Sequence, residues 1–403
     1  MKKLLFVTCE YFPYVTANVN CMQTILDGFK EAGYEITVLT VSYEPQIAQY
    51  EKKDGVTVYR VPVTEYKKVD DALYGERSVL RKLPDAVKQA LSYLGYKCVD
   101  QIKVRRTARQ FFKKIDEPFD MMLSVVYLPQ GHKIAYRIAR RRRMKWVLYF
   151  LDPYAYSWPL RKSRILTRKT QERVWSRRAS AVVTTVGIVE ENRRHGFDPY
   201  GTLPQLELPL PNLTIQDAPP QPAEKAPGDK IVLRYTGVFY GDIRRPDELL
   251  AFLDKLDPER FTAEFYGKCC EFLRANFPRL PACVQLKNHV SVQECRALTE
   301  SADILINVGN TCPNQVPSKV FEYIAAAKPI LNFYSTENDS SLIYLKDYPC
   351  VLSLRSAADA GEEELLEMFG RGKKLTVQDV REQYAEYLSD NVVRKFVAFA
   401  EEV

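Results

Sequence analysis

Short apolar runs separated by helix-period segments and turn residues repeat along the whole chain. Residues 3–8 form a compact apolar run. Residues 22–32 carry apolar side chains at helical spacing and stop at Gly33, a residue that favours helix ends. Residues 35–41 are rich in β-branched side chains, and 56–61 alternate apolar with polar. Residues 121–126, 146–150 and 181–185 are further predicted strands, with helix-like segments between them. This alternation predicts an α/β chain in which helices cover parallel sheets.

The rhythm breaks between 204 and 230, where prolines crowd together. Such density stops helix and sheet and gives a semi-rigid connector. The alternation then restarts, with predicted strands at 231–235, 261–266, 304–308 and 330–333 and predicted helices at 246–256, 291–301 and 318–327. The reading divides the chain into a domain at 1–210, a linker at 211–230 and a second domain at 231–403. Two doubly wound domains facing one another are expected to hold ligands in a cleft at the carboxyl ends of their strands.

Composition narrows the classes. Of 403 residues, 46% are hydrophobic and 27% charged, and Tyr and Phe number 25 and 19, which excludes a disordered chain. No run of 18 or more apolar residues occurs, so no membrane-spanning helix is expected. The apolar stretch Leu4–Val7 is too short for a secretory leader; it reads as a buried first strand and a cytoplasmic chain. Nine cysteines, an odd count with no Cys-x-x-Cys spacing, and three histidines argue against zinc ligation and a disulfide framework. Charge is divided: residues 1–200 carry +15 and residues 201–403 carry −8. The basic half is expected to meet an anionic surface or acceptor.

The most informative stretch is Pro317-Ser-Lys-Val-Phe-Glu-Tyr-Ile-Ala-Ala-Ala-Lys-Pro-Ile-Leu331. Pro317 and Ser318 read as a helix start, where free N–H groups and the positive end of the dipole suit a diphosphate. Lys319 adds a cation there, and Glu322 stands one turn on, placed to accept hydrogen bonds from a diol such as ribose. The competing reading is an ordinary helix start with a surface Lys–Glu pair. This stretch, following Ala302-Asp-Ile-Leu-Ile-Asn-Val308, resembles the donor-site signature of the GT-B fold, retaining, nucleotide-sugar glycosyltransferases of the large Glu-x7-Glu family. Glu322 matches the second glutamate of that signature. Asn314 stands where the first is normally found, beside the donor sugar, so that its role passes to Asn314 or Gln315 or is lost.

Tyr235-Thr-Gly-Val-Phe-Tyr-Gly-Asp-Ile-Arg-Arg-Pro-Asp-Glu-Leu-Leu250 resembles the strand and loop that open the donor domain of the same family. The resemblance implies close ligand approach at Gly237 and a pyrophosphate contact from Arg244, with Arg245 as the alternate. Phe265–Lys268 resembles the turn after the next strand, and residues 287–291, with His289, fall where the family meets the nucleobase. In the first half, residues 11–20 correspond to the loop near donor phosphate and acceptor; that loop lacks the family's glycines, leaving Asn18 and Asn20 as polar contacts. Residues 147–154 and 177–185 also match the family, and Asp152 ends a predicted strand facing the expected cleft. The family's catalytic histidine position holds Tyr127; His132, three residues past Pro129, is the nearest histidine.

Arg137, Arg140–Arg143 and Lys145 form one basic segment, and residues 161–178 form another, with Trp158, Leu160, Ile165 and Leu166 interleaved. No compact nucleic-acid motif accompanies them, so nucleic acid is set aside. An anionic bilayer surface is the favoured partner, with a solvated basic face as the alternative.

The resemblance implies transfer of a hexose-type sugar, with retention, from a nucleotide diphosphate sugar to a hydroxyl of a saccharide or lipid-linked acceptor, in surface polysaccharide or glycolipid assembly. His132 and Asp152 are the catalytic candidates. Gly237, Arg244, Arg245, Asn314, Ser318, Lys319 and Glu322 are the donor-side candidates; Asn18, Asn20 and Tyr127 are the acceptor-side ones. No metal or cofactor is expected, since cations and a helix end can carry the leaving-group charge. A nucleotide-sugar epimerase of the same fold and a catalytically silent membrane-associated scaffold remain open at this point.

Overall fold

The apolar runs become the strands of two separate sheets. A computed structural model describes residues 1–14, 16–74, 78–126, 129–156, 162–216, 228–241, 243–311 and 315–403. The chain divides into two units, Met1–Pro209 joined by Val393–Val403, and Leu210–Val392.

In the first unit, β1 (Lys2–Val7), β2 (Tyr34–Ser42), β3 (Tyr50–Lys53), β4 (Val56–Pro62), β5 (Met121–Val126), β6 (Lys145–Phe150), β7 (Ala181–Thr185) and β8 (Gln205–Leu208) form one sheet. Its order is β3-β4-β2-β1-β5-β6-β7-β8. All neighbours are parallel except the β3–β4 pair. The helices are α1 (Ala17–Glu31), α2 (Glu65–Tyr74), α3 (Asp85–Lys114), α4 (Gln130–Ala139), α5 (Lys162–Ser176) and α6 (Ile188–Arg194). Helices on both faces bury β1, β6 and β7 from both sides, which is why these strands read as unbroken apolar runs rather than alternating ones. The core around Trp146, Phe111, Phe150, Ile134 and Ile138 ties α3 and α4 to the sheet.

The second unit carries β9 (Ile231–Thr236), β10 (Phe261–Tyr266), β11 (Val284–Leu286), β12 (Ile304–Val308), β13 (Ile330–Phe333) and β14 (Val351–Leu354). They run parallel in the order β11-β10-β9-β12-β13-β14. Its helices are α7 (Asp247–Leu253), α8 (Cys269–Asn276), α9 (Val292–Ser301), α10 (Lys319–Ala325), α11 (Ser340–Leu345), α12 (Glu362–Gly372) and α13 (Val377–Gln383). The strand order reverses between β9 and β12, and in the first unit between β1 and β5. Ligands of doubly wound sheets bind outside the carboxyl ends of the strands at such reversals.

Two expectations are corrected. Residues 393–403, read as part of the second domain, belong to the first unit. The last helix, α14 (Ser389–Glu402), sets Phe396 against Phe29 and Tyr149, with ring centroids 6.0 and 5.0 Å apart, and Glu401 pairs with Lys2 at 2.5 Å. The first helix starts at Ala17, not Met22. The Thr16 side chain accepts the Val19 amide at 3.2 Å and caps it, which puts Asn18 and Asn20 in the first turn of α1 rather than in a loop.

Candidate functional site

Among the described residues, the donor-side candidates lie in the second unit in the segments that follow β9 and β12, the two strands between which the order reverses. Tyr240 and Arg244 close a turn with reciprocal backbone bonds, at 3.1 and 2.8 Å. The Thr311 amide donates to the Ile243 carbonyl at 2.8 Å, tying this turn to the segment that follows β12. The Arg244 guanidinium donates through Nε and Nη2 to Asn310 Oδ1, at 3.1 and 2.8 Å. Asn310 Nδ2 donates in turn to the Gln315 carbonyl at 2.9 Å. Asn310 is neutral, so it orients the guanidinium without cancelling its charge, which leaves Arg244 suited to an anionic ligand. Arg245 instead points into solvent and forms a bidentate pair with Asp247 at 2.8 and 2.9 Å.

Beside this arginine lies a carboxylate absent from the sequence reading. Asp339 is buried, and its Oδ1 accepts from the Ser341 amide and hydroxyl at 2.9 and 2.7 Å. Its Oδ2 has no partner among the described residues. Burial raises this carboxyl's pKa, although the Ser341 bonds and the Arg244 charge oppose the rise. Gly309 makes room for it: a Cβ there would lie 1.8 Å from Oδ2. A Cβ at Gly237 would sit 3.0 Å from the hydroxyl of Tyr235, whose ring stacks on Phe239 at 4.7 Å, so the space beneath the glycine is filled by the protein's own aromatic pair.

Ser318 precedes α10 with helical backbone angles and makes no side-chain cap. The amides of Val320 and Phe321 bond back to Pro317 and Ser318, at 3.1 and 3.3 Å. Lys319 and Glu322 form an ion pair of 2.5 Å, one turn apart, and the ammonium also lies 3.5 Å from Cys295 Sγ. Burial would lower the Lys319 pKa, but the Glu322 carboxylate outweighs it and the net shift is upward. The ammonium is therefore charged at neutral pH and already holds an anionic partner that a phosphate can replace. Gln315 Oε1 is buried and unpartnered among the described residues. Asn314 lies outside the described residues.

At the carboxyl edge of the first sheet stand Glu10 after β1, Tyr43 after β2 and Asp152 after β6. Asp152 has no hydrogen-bonding or ionic partner among the described residues, and desolvation pushes its carboxyl up to about 6. Glu10 is half-buried, its pKa raised by desolvation against the charge of Lys103. Lys103, buried on α3, touches Asp100 at 3.3 Å and the Tyr43 hydroxyl at 3.4 Å, and its ammonium lies over the Tyr66 ring at 5.0 Å. Lys133, in the first turn of α4, has its pKa lowered by burial. The sequence signal for Lys103 is a helix stripe, Val99, Lys103, Thr107, Phe111, on which it is the one charged residue. That signal is visible only once α3 is assigned.

His132 is not at this edge in any usable sense. It is fully buried: Nδ1 lies 2.8 Å from Ser124 Oγ, and Phe150 and Trp175 pack edge-on against the ring at 4.8 and 5.2 Å. Burial holds its pKa well below the ordinary value, so the ring is neutral. The Trp146 indole donates to the same Ser124 oxygen at 2.7 Å, so the three residues join β5, α4 and β6. The physical reason for the misplacement is that α4 begins at Gln130 and its first turns already face the core. Asn20 is exposed and Asn18 partly so; Tyr127, Trp158 and Leu160 lie outside the described residues.

Residues 19–203 match the model of the glycosyl transferase 4-like domain. Among solved structures, sucrose-phosphate synthase from Thermosynechococcus elongatus aligns with TM-score 0.69 at 11% identity, covering 100% of this chain and 99% of that one. The E. coli trehalose-6-phosphate protein bound with UDP-2-fluoro glucose aligns with TM-score 0.64 at 13% identity, covering 100% and 99%. A mutant of S. aureus TarM, in complex with Fondaparinux, alpha-GlcNAc-glycerol and UDP, aligns with TM-score 0.59 at 10% identity, covering 99% and 100%. Compared with curated proteins, the sequence finds no match. The fold is GT-B, and residues 19–203 of the first unit are similar to the glycosyl transferase 4-like domain.

Proposed function

We propose that the protein transfers a hexose-type sugar from a nucleotide diphosphate sugar to an acceptor hydroxyl, with retention of anomeric configuration. The observation that carries the reading is the Arg244 guanidinium held by neutral Asn310, together with the Lys319–Glu322 pair at the start of α10. Arg244 and Lys319 take the diphosphate, and Glu322, released from Lys319, accepts the ribose hydroxyls. Positive charge at the diphosphate stabilises the leaving group as the glycosidic bond to it lengthens. Gln315 meets the sugar where the first signature glutamate is missing, a role supported by its buried, unpartnered side-chain carbonyl oxygen.

Acceptor recognition falls to the first unit. Asp152 and Glu10, both reluctant to ionise, accept hydrogen bonds from acceptor hydroxyls, and Asn18 and Asn20 add polar contacts. The saccharide or lipid-linked acceptor, surface polysaccharide or glycolipid assembly, and a reducing cytoplasmic setting, supported by nine cysteines without a Cys-x-x-Cys spacing, complete the reading. Calorimetric titration with nucleoside diphosphates and the matching nucleosides tests it. Arg244→Ala and Lys319→Ala should weaken diphosphate binding and leave nucleoside binding unchanged; equal losses for both ligands would remove these side chains from the phosphate site.

A further inference from the structure

The first unit carries a second basic feature, away from the strand ends that serve the acceptor. Arg105, Arg109, Arg137, Arg140 and Arg141, with Ala108 at the base, line an open hollow of about 450 Å³ between α3 and α4. Among the described residues, none of these five guanidinium groups pairs with a carboxylate. Arg140 and Arg141 lie instead over the rings of Tyr136 and Phe112, at 5.9 and 5.1 Å. Arg142 is different: it bonds the Ile115 and Glu117 carbonyls and Asp116, and so serves the fold. Five like charges around one hollow repel each other unless an anion joins them. The negative end of α4, with Arg137 in its last turn and Arg140 and Arg141 just beyond, offsets part of that repulsion, whereas α3 runs on past Arg105 and Arg109 to Lys114. Both also lead directly into the starts of β5 and β6, so the hollow lies at the amino edge of the sheet, opposite Glu10 and Asp152.

An independent observation on α3 says what kind of anion. Val87, Leu91, Leu94 and Ile102 are 43%, 39%, 56% and 41% exposed, and Cys98 is exposed with them. With Arg105 and Arg109, these positions fall within an arc of about 80° on an α-helix of about 100° per residue. One helix face is thus apolar for about 22 Å and then cationic, ending in the arginine hollow. A soluble phosphate compound would explain the arginines but not the bare aliphatic stripe. A bilayer supplies both, with acyl chains for the stripe and phosphodiesters for the hollow.

We propose that this α3–α4 face is a membrane-docking site in which anionic phospholipid headgroups occupy the five-arginine hollow and the Val87–Ile102 stripe enters the acyl boundary. The site is independent of the donor and acceptor assignments, because its readout is partition and not turnover.

The test is co-sedimentation of the full chain with phosphatidylcholine vesicles, with and without phosphatidylglycerol. Anionic vesicles should bind and neutral ones should not. Arg→Gln at 105, 140 and 141 together should lower the partition coefficient about a hundred-fold, near five-fold per charge. Arg→Lys at the same three positions should keep most of it and shows that the fold tolerates change there. Leu91→Ser with Leu94→Ser should remove the part of binding that survives high salt, which screens charges beyond about 3 Å at about 1 M. Binding unchanged in the glutamine variant, equal binding to both vesicles, or binding to neither overturns the proposal. So does tight uptake of inorganic pyrophosphate by a protein that ignores vesicles.

Discussion

Asp152→Asn offers the sharpest physical test of the acceptor side. The carboxyl is pushed up to about 6 from an aspartate value of 3.8 by desolvation alone. The folded value lies above the unfolded one, so folding favours the protonated form. The penalty is absent below a pH of about 4, grows as pH rises from there to about 6, and is then constant at about 3 kcal/mol. Asparagine cannot ionise and escapes it. The stability difference between variant and parent should therefore shift in favour of the variant by about 2 kcal/mol between about pH 4.5 and about pH 8. Any fixed cost of the new amide cancels in that comparison. For a unit of about 220 residues this is a relative rise in melting temperature of about 4–8 °C. Scanning calorimetry of both proteins at the two pH values measures it. A variant whose melting temperature tracks the parent's at every pH would refute the desolvated carboxylate. The same ionisation should appear in activity: kcat/KM rises through about pH 6 in the parent, and the inflection disappears in the variant.

Arg244→Ala and Lys319→Ala should each cost about 1.5–3 kcal/mol of nucleoside diphosphate affinity, the scale of a charge-assisted hydrogen bond, as read by calorimetry. Glu322→Gln should weaken nucleotide binding while the thermal transition stays within a degree or so of the parent, because the side chain is half exposed; unchanged affinity would remove Glu322 from the ribose. His132→Ala should lower stability by about 2–4 kcal/mol by opening a cavity beside Phe150 and Trp175 and stripping Ser124 of a partner. Its effect on turnover should vanish at temperatures where the variant is fully folded, which denaturant titration and initial rates together establish.

The central strands were legible because they are buried on both faces. Residues 121–126, 181–185, 261–266, 304–308 and 330–333 hold to the residue. The strands that escaped notice, β3, β8, β11 and β14, are the four sheet edges. Each is short and partly exposed, and so lacks a continuous apolar run. The 30 residues of α3 were missed because so many positions on its outward face are apolar or cationic that no clean stripe stands out. Arg244 and the α10 start could be named from local order. Asn310 and Asp339 could not, since their meaning depends on β12 and β13 being neighbours. His132 failed for the opposite reason: its chemistry suggested a site, while three aromatic rings and Ser124 make it part of the interior.

The reading as a transferase is tested most directly by donor turnover. The protein is incubated with a panel of nucleotide diphosphate sugars, with and without glycan acceptors. Nucleoside diphosphate release is followed, and the product's anomeric configuration is read by proton NMR. At least one donor should release its nucleoside diphosphate, faster with a matching acceptor, and yield a glycoside of the donor's own configuration. Arg244→Ala should abolish that release. A folded protein that binds and releases no nucleotide from any donor, or one that inverts the anomeric centre, would contradict the account.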